Sequence, residues 1–457
     1  MDAQETWGSS RLDREPGTII SWLQRSGIYI FLISFACVYY LSNAPLMLGH
    51  YDLGWHLAAG DLIRDQGNIP FRDPWSFTSG ARQWFNLSWL WDVLASVLFQ
   101  YTKFSGLILF VVACGAVIVG YLTSICLSSG ASATAVCISV FAACLLYPSF
   151  ATAPNIYLAA SPNTSTMLFC VVFYGECLKK TRWFLLPPMM VLWVNMHGGF
   201  LVIGLFGGAA LLRRDWATFK IYGFAGAACF IAIFVNPLGW HIHDGVTATL
   251  GNFVQAYITE WQFYFQNISM PGSIRGIIYI LIFVALELCY RSPCPIESRL
   301  LSWRFLLLGF YQFRYMSFFF IFSAVPLALH LDRLLPKLNP LEVQRSLLAA
   351  GLIGTCALPL TFMKEKPALE LPQMISEQDA RYLQTHFPHA RLLNHWNVGG
   401  LLIFYTRGAV PYSSTAGPPP PIRMPCCATT SDCPNGRSTR RPGTRCTANT
   451  RSIRYCG

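Results

Sequence analysis

GIYIFLISFACVYYLSNAPLML, residues 27–48, carries not one charged side chain. A helix rises about 1.5 Å per residue, so roughly 20 such residues cross the hydrocarbon core of a bilayer. This stretch is long enough, and it has company. Runs of the same kind occupy 106–127, 132–150, 164–178, 219–236, 275–291 and 346–363. Two longer apolar stretches are interrupted, 183–212 at Asn195-Met196-His197-Gly198-Gly199 and 299–330 at Tyr311-Gln312-Phe313-Arg314. Composition points the same way: of 457 residues 54% are hydrophobic and only 12% charged, where a soluble domain carries about a quarter charged. The expected fold is an all-α polytopic membrane protein lying in the lipid bilayer.

The formal charge of +11 does not mark a nucleic-acid binder. Much of the excess lies in the last forty or so residues, where Arg423, Arg437, Arg440, Arg441, Arg445, Arg451 and Arg454 face one acid, Asp432. Other basic residues sit between apolar runs, as orientation signals do. Of the 16 cysteines, most stand singly in apolar runs (Cys37, Cys114, Cys137, Cys229), where a thiol behaves as a small apolar group. Cys426, Cys427, Cys433, Cys446 and Cys456 have no metal-ligand spacing. Residues 1–26 lead into the first run without a small-residue cleavage site, which reads as an uncleaved anchor.

Loop charges orient the spans. Arg11, Arg14 and Arg25 put the N-terminus in the cytoplasm, and Lys179, Lys180 and Arg182 then fall inside. Arg213, Arg214 and Lys220 fall inside only if 183–212 is a hairpin of two short helices. Arg333 and Lys337 require the same of 299–330. Counting both hairpins gives about 11 transmembrane helices within 27–363, with loop 49–105, loop 237–274 and everything after 364 outside.

Loop 49–105 opens with His50-Tyr51-Asp52-Leu53-Gly54-Trp55-His56-Leu57-Ala58-Ala59-Gly60-Asp61. Leu57, Ala58, Leu62 and Ile63 can share one face of a short interfacial helix, with Trp55 as its anchor. Asp52 and His56, four apart, would face the same way. The loop continues with Asp73-Pro74-Trp75-Ser76-Phe77-Thr78 and Asn86-Leu87-Ser88-Trp89-Leu90.

In these motifs the chain resembles bacterial membrane glycosyltransferases of the C-type (GT-C) fold, the group related to dolichyl-phosphate-mannose protein mannosyltransferases. Their common feature is an acidic residue just after the first span, the place of Asp52. The likeness is greatest to a branch with Asp-x-x-Trp-His-Leu-Ala-x-Gly, Asp-Pro-x-Ser-Phe-Thr and Asn-x-x-Trp-Leu segments. The segments Asn195 to Phe200, Asn236-Pro237-Leu238-Gly239-Trp240, Glu260-Trp261 and Asn394-His395-Trp396-Asn397-Val398-Gly399-Gly400 extend it, in order, to about Pro411. Leu87 and Ser88 depart from it, standing where the branch often has His-Glu. Ser161, before Pro162-Asn163, stands where it often has Arg.

The resemblance implies sugar transfer at the bacterial inner membrane, from a polyprenyl-phosphate sugar donor to an extracytoplasmic glycan, lipid or protein acceptor. Asp52 would be the base that takes the acceptor proton. His56 would orient Asp52 or bind phosphate, Arg314 would pair with phosphate, His197 with its glycines would form a pocket wall, and Glu260 would belong to the substrate site. Each has a plainer alternative: Asp52 as a helix cap, His56 as a loop hydrogen bond, His197 as a packed core residue, and Arg314 with Glu260 as a structural ion pair. Asp61 reads as a solvated helix residue and Asp73 as a turn former before Pro74. No cofactor is called for. No spacing demands a metal, although Asp52 with His56 could hold a divalent ion loosely. A transporter, or a non-catalytic protein of envelope polysaccharide assembly, is the rival reading.

Residues 364–411 read as the start of an extracytoplasmic α/β domain, with a helix around 376–386 and strands near 391–394 and 400–405. Past Pro411 the chain turns to Pro, Arg, Cys and Thr without apolar periodicity, so 412–457 reads as a disordered tail. Ser414-Thr415-Ala416-Gly417 is also what the branch's Val-Asp-Gly-Arg codons give when read one base late. A frameshift near Tyr412 would have truncated the domain.

Overall fold

The computed structural model describes residues 26–49, 51–77, 83–146, 159–180, 182–200, 215–250, 258–267, 273–290, 293–364, 375–388 and 391–415. These are mostly helical: α1 (Gly27–Ser42), α2 (Leu53–Gln66), α3 (Trp89–Ser128), α4 (Ala133–Phe141), α5 (Pro162–Lys179), α6 (Leu186–Met196) and α7 (Trp216–Ala232). There follow α8 (Ile242–Leu250), α9 (Ser273–Cys289), α10 (Ile296–Tyr311), α11 (Met316–Leu334), α12 (Pro340–Lys364), α13 (Glu377–His386), β1 (Leu392–His395), α14 (Trp396–Thr406) and β2 (Tyr412–Thr415). Two helical stretches among the described residues are long and apolar enough to cross a membrane, Trp89–Ser128 and Phe313–Leu334. Shorter apolar ones include Gly27–Ser42 and Trp216–Ala232.

Close contacts give the helix directions. α1 and α12 lie side by side and parallel: Ile28 N donates to Gln344 Oε1 at 3.1 Å, and Ser34 and Thr355 hydroxyls meet at 2.6 Å. Glycines allow this approach, since a Cβ on Gly27 would stand 2.2 Å from the Gln344 carbonyl oxygen. The 299–330 stretch is a hairpin. α10 ends at Tyr311, Gln312 is extended (φ −138°, ψ 120°), and α11 returns with Phe318 and Phe322 against Phe305, at 5.2 and 5.1 Å between ring centres. The 183–212 stretch breaks where α6 stops at Met196 and His197 turns extended. Its second half lies largely in 201–214, outside the described residues. α6 and α7 run parallel, as the hairpin reading requires: Lys180 pairs with Asp215 at one end (3.6 Å) and Asn195 Nδ2 donates to the Val235 carbonyl at the other (2.8 Å).

The first loop is more helical than expected. It contains α2 and the first turns of α3, whose 40 residues break at Lys103 (φ 55°, ψ −147°), next to the expected start of the second span. α2 buries Leu53, Gly54, His56, Leu57, Ala59, Gly60 and Ile63, while Ala58 and Leu62 are half-buried. Its stripe therefore runs through His56 rather than Ala58. Trp55 turns inward onto His56, ring centres 3.7 Å apart, and meets Trp84; it anchors the loop to itself.

The C-terminal segment departs from expectation in two places. α13 and β1 fall near the expected positions, but 400–405 is helix: His395 caps α14 by accepting from Asn397 N. The run Leu401-Leu402-Ile403-Phe404-Tyr405 has no alternation to mark a strand, and its burial against α2 decides for helix. The second strand is Tyr412–Thr415, parallel to β1 in the register Leu392↔Tyr412. The first four residues of the expected tail thus belong to a β-α-β unit; 416–457 lie outside the described residues. α14 seats on α2 through glycines, a Cβ on Gly54 falling 2.4 Å from the Gly400 carbonyl oxygen.

The core is aromatic, with Trp91, Trp193, Tyr174, Phe283, Phe305, Phe319 and Phe322 fully buried. Outward, the helices bare large apolar side chains: Leu288 is 76% exposed, Phe224 and Ile353 72%, Ile231 68% and Leu307 67%.

Candidate active site

Segments far apart in sequence line one cavity of about 370 Å³. Asp52, His56, His197, Glu260 and Arg314 all face it. So do Leu87, Ser88 and Ser161.

Asp52 occupies the N-cap position of α2 and is exposed; its carbonyl accepts the His56 N–H at 3.1 Å. One turn on, His56 is buried, and its Nδ1 donates to Asp92 Oδ1 at 2.6 Å. Asp92 is 0% exposed. Its other oxygen accepts from Asn86 Nδ2 at 2.7 Å, and the Ser88 hydroxyl lies 3.4 Å from Oδ1. Asn86 in turn accepts from the Ser88 N–H at 3.1 Å. Gly60 lets α2 come this close to α3: a Cβ there would fall 2.0 Å from the Asp92 carbonyl oxygen.

His197 sits where α6 ends. Trp193 Nε1 donates to Thr166 Oγ1 at 2.9 Å; His197 Nδ1 accepts the Gly199 N–H at 3.2 Å, so the threonine hydroxyl 2.7 Å away donates to it as well. Nδ1 is therefore an acceptor, and the neutral ring carries its hydrogen on Nε2. Gly199 is required, because a Cβ would lie 2.7 Å from Thr166. Arg314 rides the turn Phe313–Tyr315 between α10 and α11, tied to the Glu260 loop by Phe313 N donating to the Gln262 carbonyl at 2.9 Å. Its guanidinium stacks on Trp261, 4.1 Å from the ring centre, with Glu260 Oε1 at 3.7 Å.

Other candidates lie elsewhere. Asp61 accepts from Ser96 at 2.5 Å and pairs with Arg64 at 3.6 Å. Asp73 accepts from Trp75 N and Ser76 N, the turn expected before Pro74. Asn195 clamps helices, accepting from Trp89 Nε1 at 2.8 Å. Among the described residues no group of three or more His, Cys, Asp or Glu could hold a metal ion.

Asp92 is not singled out by the sequence, and Trp261 enters there only as part of the Glu260-Trp261 segment. Asp92 stands in an apolar run, 36 positions from its partner, where no local spacing pairs them. The available signal was an ionisable residue in the first turns of an apolar helix. Chemically, the cavity offers an exposed carboxylate, an oriented imidazole and a guanidinium on an aromatic floor. No protein-family model matches the chain, and no curated protein matches it.

Proposed function

We propose that the protein is a multi-pass membrane glycosyltransferase of GT-C type that takes sugar from a polyprenyl-phosphate donor on the outer side of a bacterial inner membrane. The observation that carries this reading is the meeting, in one cavity, of Asp52 with His56, His197, Glu260 and Arg314. All five come from segments that an N-in arrangement of about 11 spans assigns to the same face. The bare apolar side chains of α7, α9, α10 and α12 support a lipid environment, since soluble proteins seldom expose such surface over contiguous areas.

In the proposed reaction the acceptor hydroxyl attacks the anomeric carbon through an oxocarbenium-like state. Asp52 takes the hydroxyl proton. The C1–O bond to phosphate breaks with its electron pair on the phosphate oxygen, and the Arg314 guanidinium balances that charge. Glu260 and Trp261 hold the guanidinium in place, and His197 walls the sugar.

The test is transfer from radiolabelled polyprenyl-phosphate sugars in membranes containing the full chain. Asp52→Asn is expected to cut transfer by at least about 100-fold, the usual worth of a positioned base, at unchanged protein level. Wild-type rates in that variant would remove Asp52 from the chemistry. Leu87, Ser88 and Ser161 on the cavity wall favour a second reading, a transporter or a non-catalytic protein of polysaccharide assembly. Solute uptake by vesicles without donor consumption would select it.

A further inference from the structure

We propose that the cavity has a second activity, hydrolysis of a phosphate-linked sugar, in which His56 Nε2 takes a proton from water and the buried Asp92 is its positioning residue. The sugar donor is that of the reading above, and to that extent the inference rests on it. Water as the other substrate, and His56 as the group that activates it, are additional.

Asp92 is the starting point. A carboxylate at 0% exposure has lost its water, and well-packed apolar residues would hold α2 against α3 at no greater cost. Here both of its oxygens are engaged: Oδ2 accepts from Asn86 Nδ2 at 2.7 Å and Oδ1 from His56 Nδ1 at 2.6 Å. With the hydrogen of the neutral ring on Nδ1, Nε2 is a bare acceptor. Among the described residues nothing bonds to Nε2, and the ring lies in the cavity wall. An imidazole fixed at one nitrogen by a buried carboxylate, with the other facing a cavity, is built as a general base. The carboxylate sets the tautomer and steadies the imidazolium that forms.

Two proton acceptors therefore line one cavity. Asp52 is exposed, on the side where a bulky acceptor arrives. His56, one turn further along α2, is 3% exposed, and the Trp55 ring covers it at 3.7 Å between centres. So narrow an approach suits the smallest hydroxyl compound, water, which needs about 30 Å³.

In the reaction the water oxygen bonds to C1 of the sugar through an oxocarbenium-like state while Nε2 takes one of its protons. The C1–O bond to phosphate breaks with its electron pair on the phosphate oxygen, leaving free sugar and polyprenyl phosphate. The imidazolium then returns its proton to bulk water. No other reactant is needed.

The test uses the purified full chain in lipid nanodiscs, without acceptor, and polyprenyl phosphates carrying radiolabelled glucose, mannose or arabinose. Wild type is expected to release free sugar from at least one of them. In heavy-oxygen water the new oxygen should appear on the sugar and not on the phosphate. His56→Asn, whose amide can still donate to Asp92, deletes Nε2 and should cut release by roughly 100-fold or more, the usual worth of a positioned base. Asp92→Asn lets the ring carry its hydrogen on Nε2 and should lower kcat with little change in KM. Asp52→Asn should lose transfer and keep release, a split that general damage to the fold would not produce. Asp61→Asn, outside the cavity, should behave as wild type. No release by wild type, label on the phosphate, wild-type release in His56→Asn, or loss of release in Asp52→Asn overturns the proposal.

Should the His56 and Asp92 variants fail to fold, diethyl pyrocarbonate, which acylates bare imidazole nitrogens, decides on the wild type. It should modify His56 and stop release. Release that persists with His56 acylated, or His56 untouched while the exposed His241 and His243 react, overturns the proposal. Membranes containing acceptors separate the two readings. Release without transfer there would keep the hydrolytic site and reject the glycosyltransferase, and transfer without release would do the reverse.

Discussion

Thr166 links two aromatic neighbours through its hydroxyl. Its hydroxyl accepts from Trp193 and donates to His197, at a buried position on the cavity wall. Thr166→Val keeps the shape and deletes both bonds, stranding a buried indole N–H at a cost of about 1–3 kcal/mol. Thermal unfolding in detergent should fall by several degrees, with Thr166→Ser close to wild type; an unshifted valine variant would show that the hydroxyl holds nothing. At this scale legibility depended on where a polar residue stood. Asp52, His56, His197 and Glu260 could be singled out because each stands in a motif that carries the resemblance, and Arg314 because it interrupts an apolar run. Asp92 could not, because its meaning lies in a partner on another helix. Gly60 was visible only as a letter in a motif until its approach to the Asp92 carbonyl gave it a reason.

Elements were legible in their existence and less so in their joints. The polar interruption at 311–314 marked a true reversal, since Gln312 leaves the helix and Arg314 needs a place at its tip. The break at Lys103 falls in the polar stretch Gln100-Tyr101-Thr102-Lys103-Phe104-Ser105, just before the expected second span, but nothing in those residues dictates its backbone, at φ 55° and ψ −147°. Glycine occupies that region without the Cβ penalty. Lys103→Gly is therefore expected to raise stability by about 1 kcal/mol, read as a higher thermal midpoint; a lower midpoint would mean that the lysine contact with Phe99, 5.2 Å away, outweighs the strain. The 400–405 strand failed for the opposite reason. A short apolar run fits strand or helix equally, and the glycine seat of α14 on α2 is a tertiary fact.

Among the described residues, two groups of charged side chains lie toward opposite ends of α11. The cavity occupies one. At the other, Glu287 joins His330 at 2.7 Å and Arg299 at 2.8 Å, and Asp332 accepts from Ser132 N at 3.0 Å and Lys337 Nζ at 2.8 Å. Charges in the connecting loops set the expectation of sides, because each loop inherits the side of its neighbours. In a cysteine-free background, Asp61→Cys should react with an impermeant maleimide on intact cells and Asp215→Cys only after permeabilisation. Labelling of both from one side would break the N-in arrangement.

The meeting of Gly54 with Gly400 has a consequence in time. A ribosome delivers Gly54 and the α2 that carries it long before Gly400, so α2 is made without the helix that packs on it. Until α14 follows, Asp52 and His56 stand on a helix that lacks this strut.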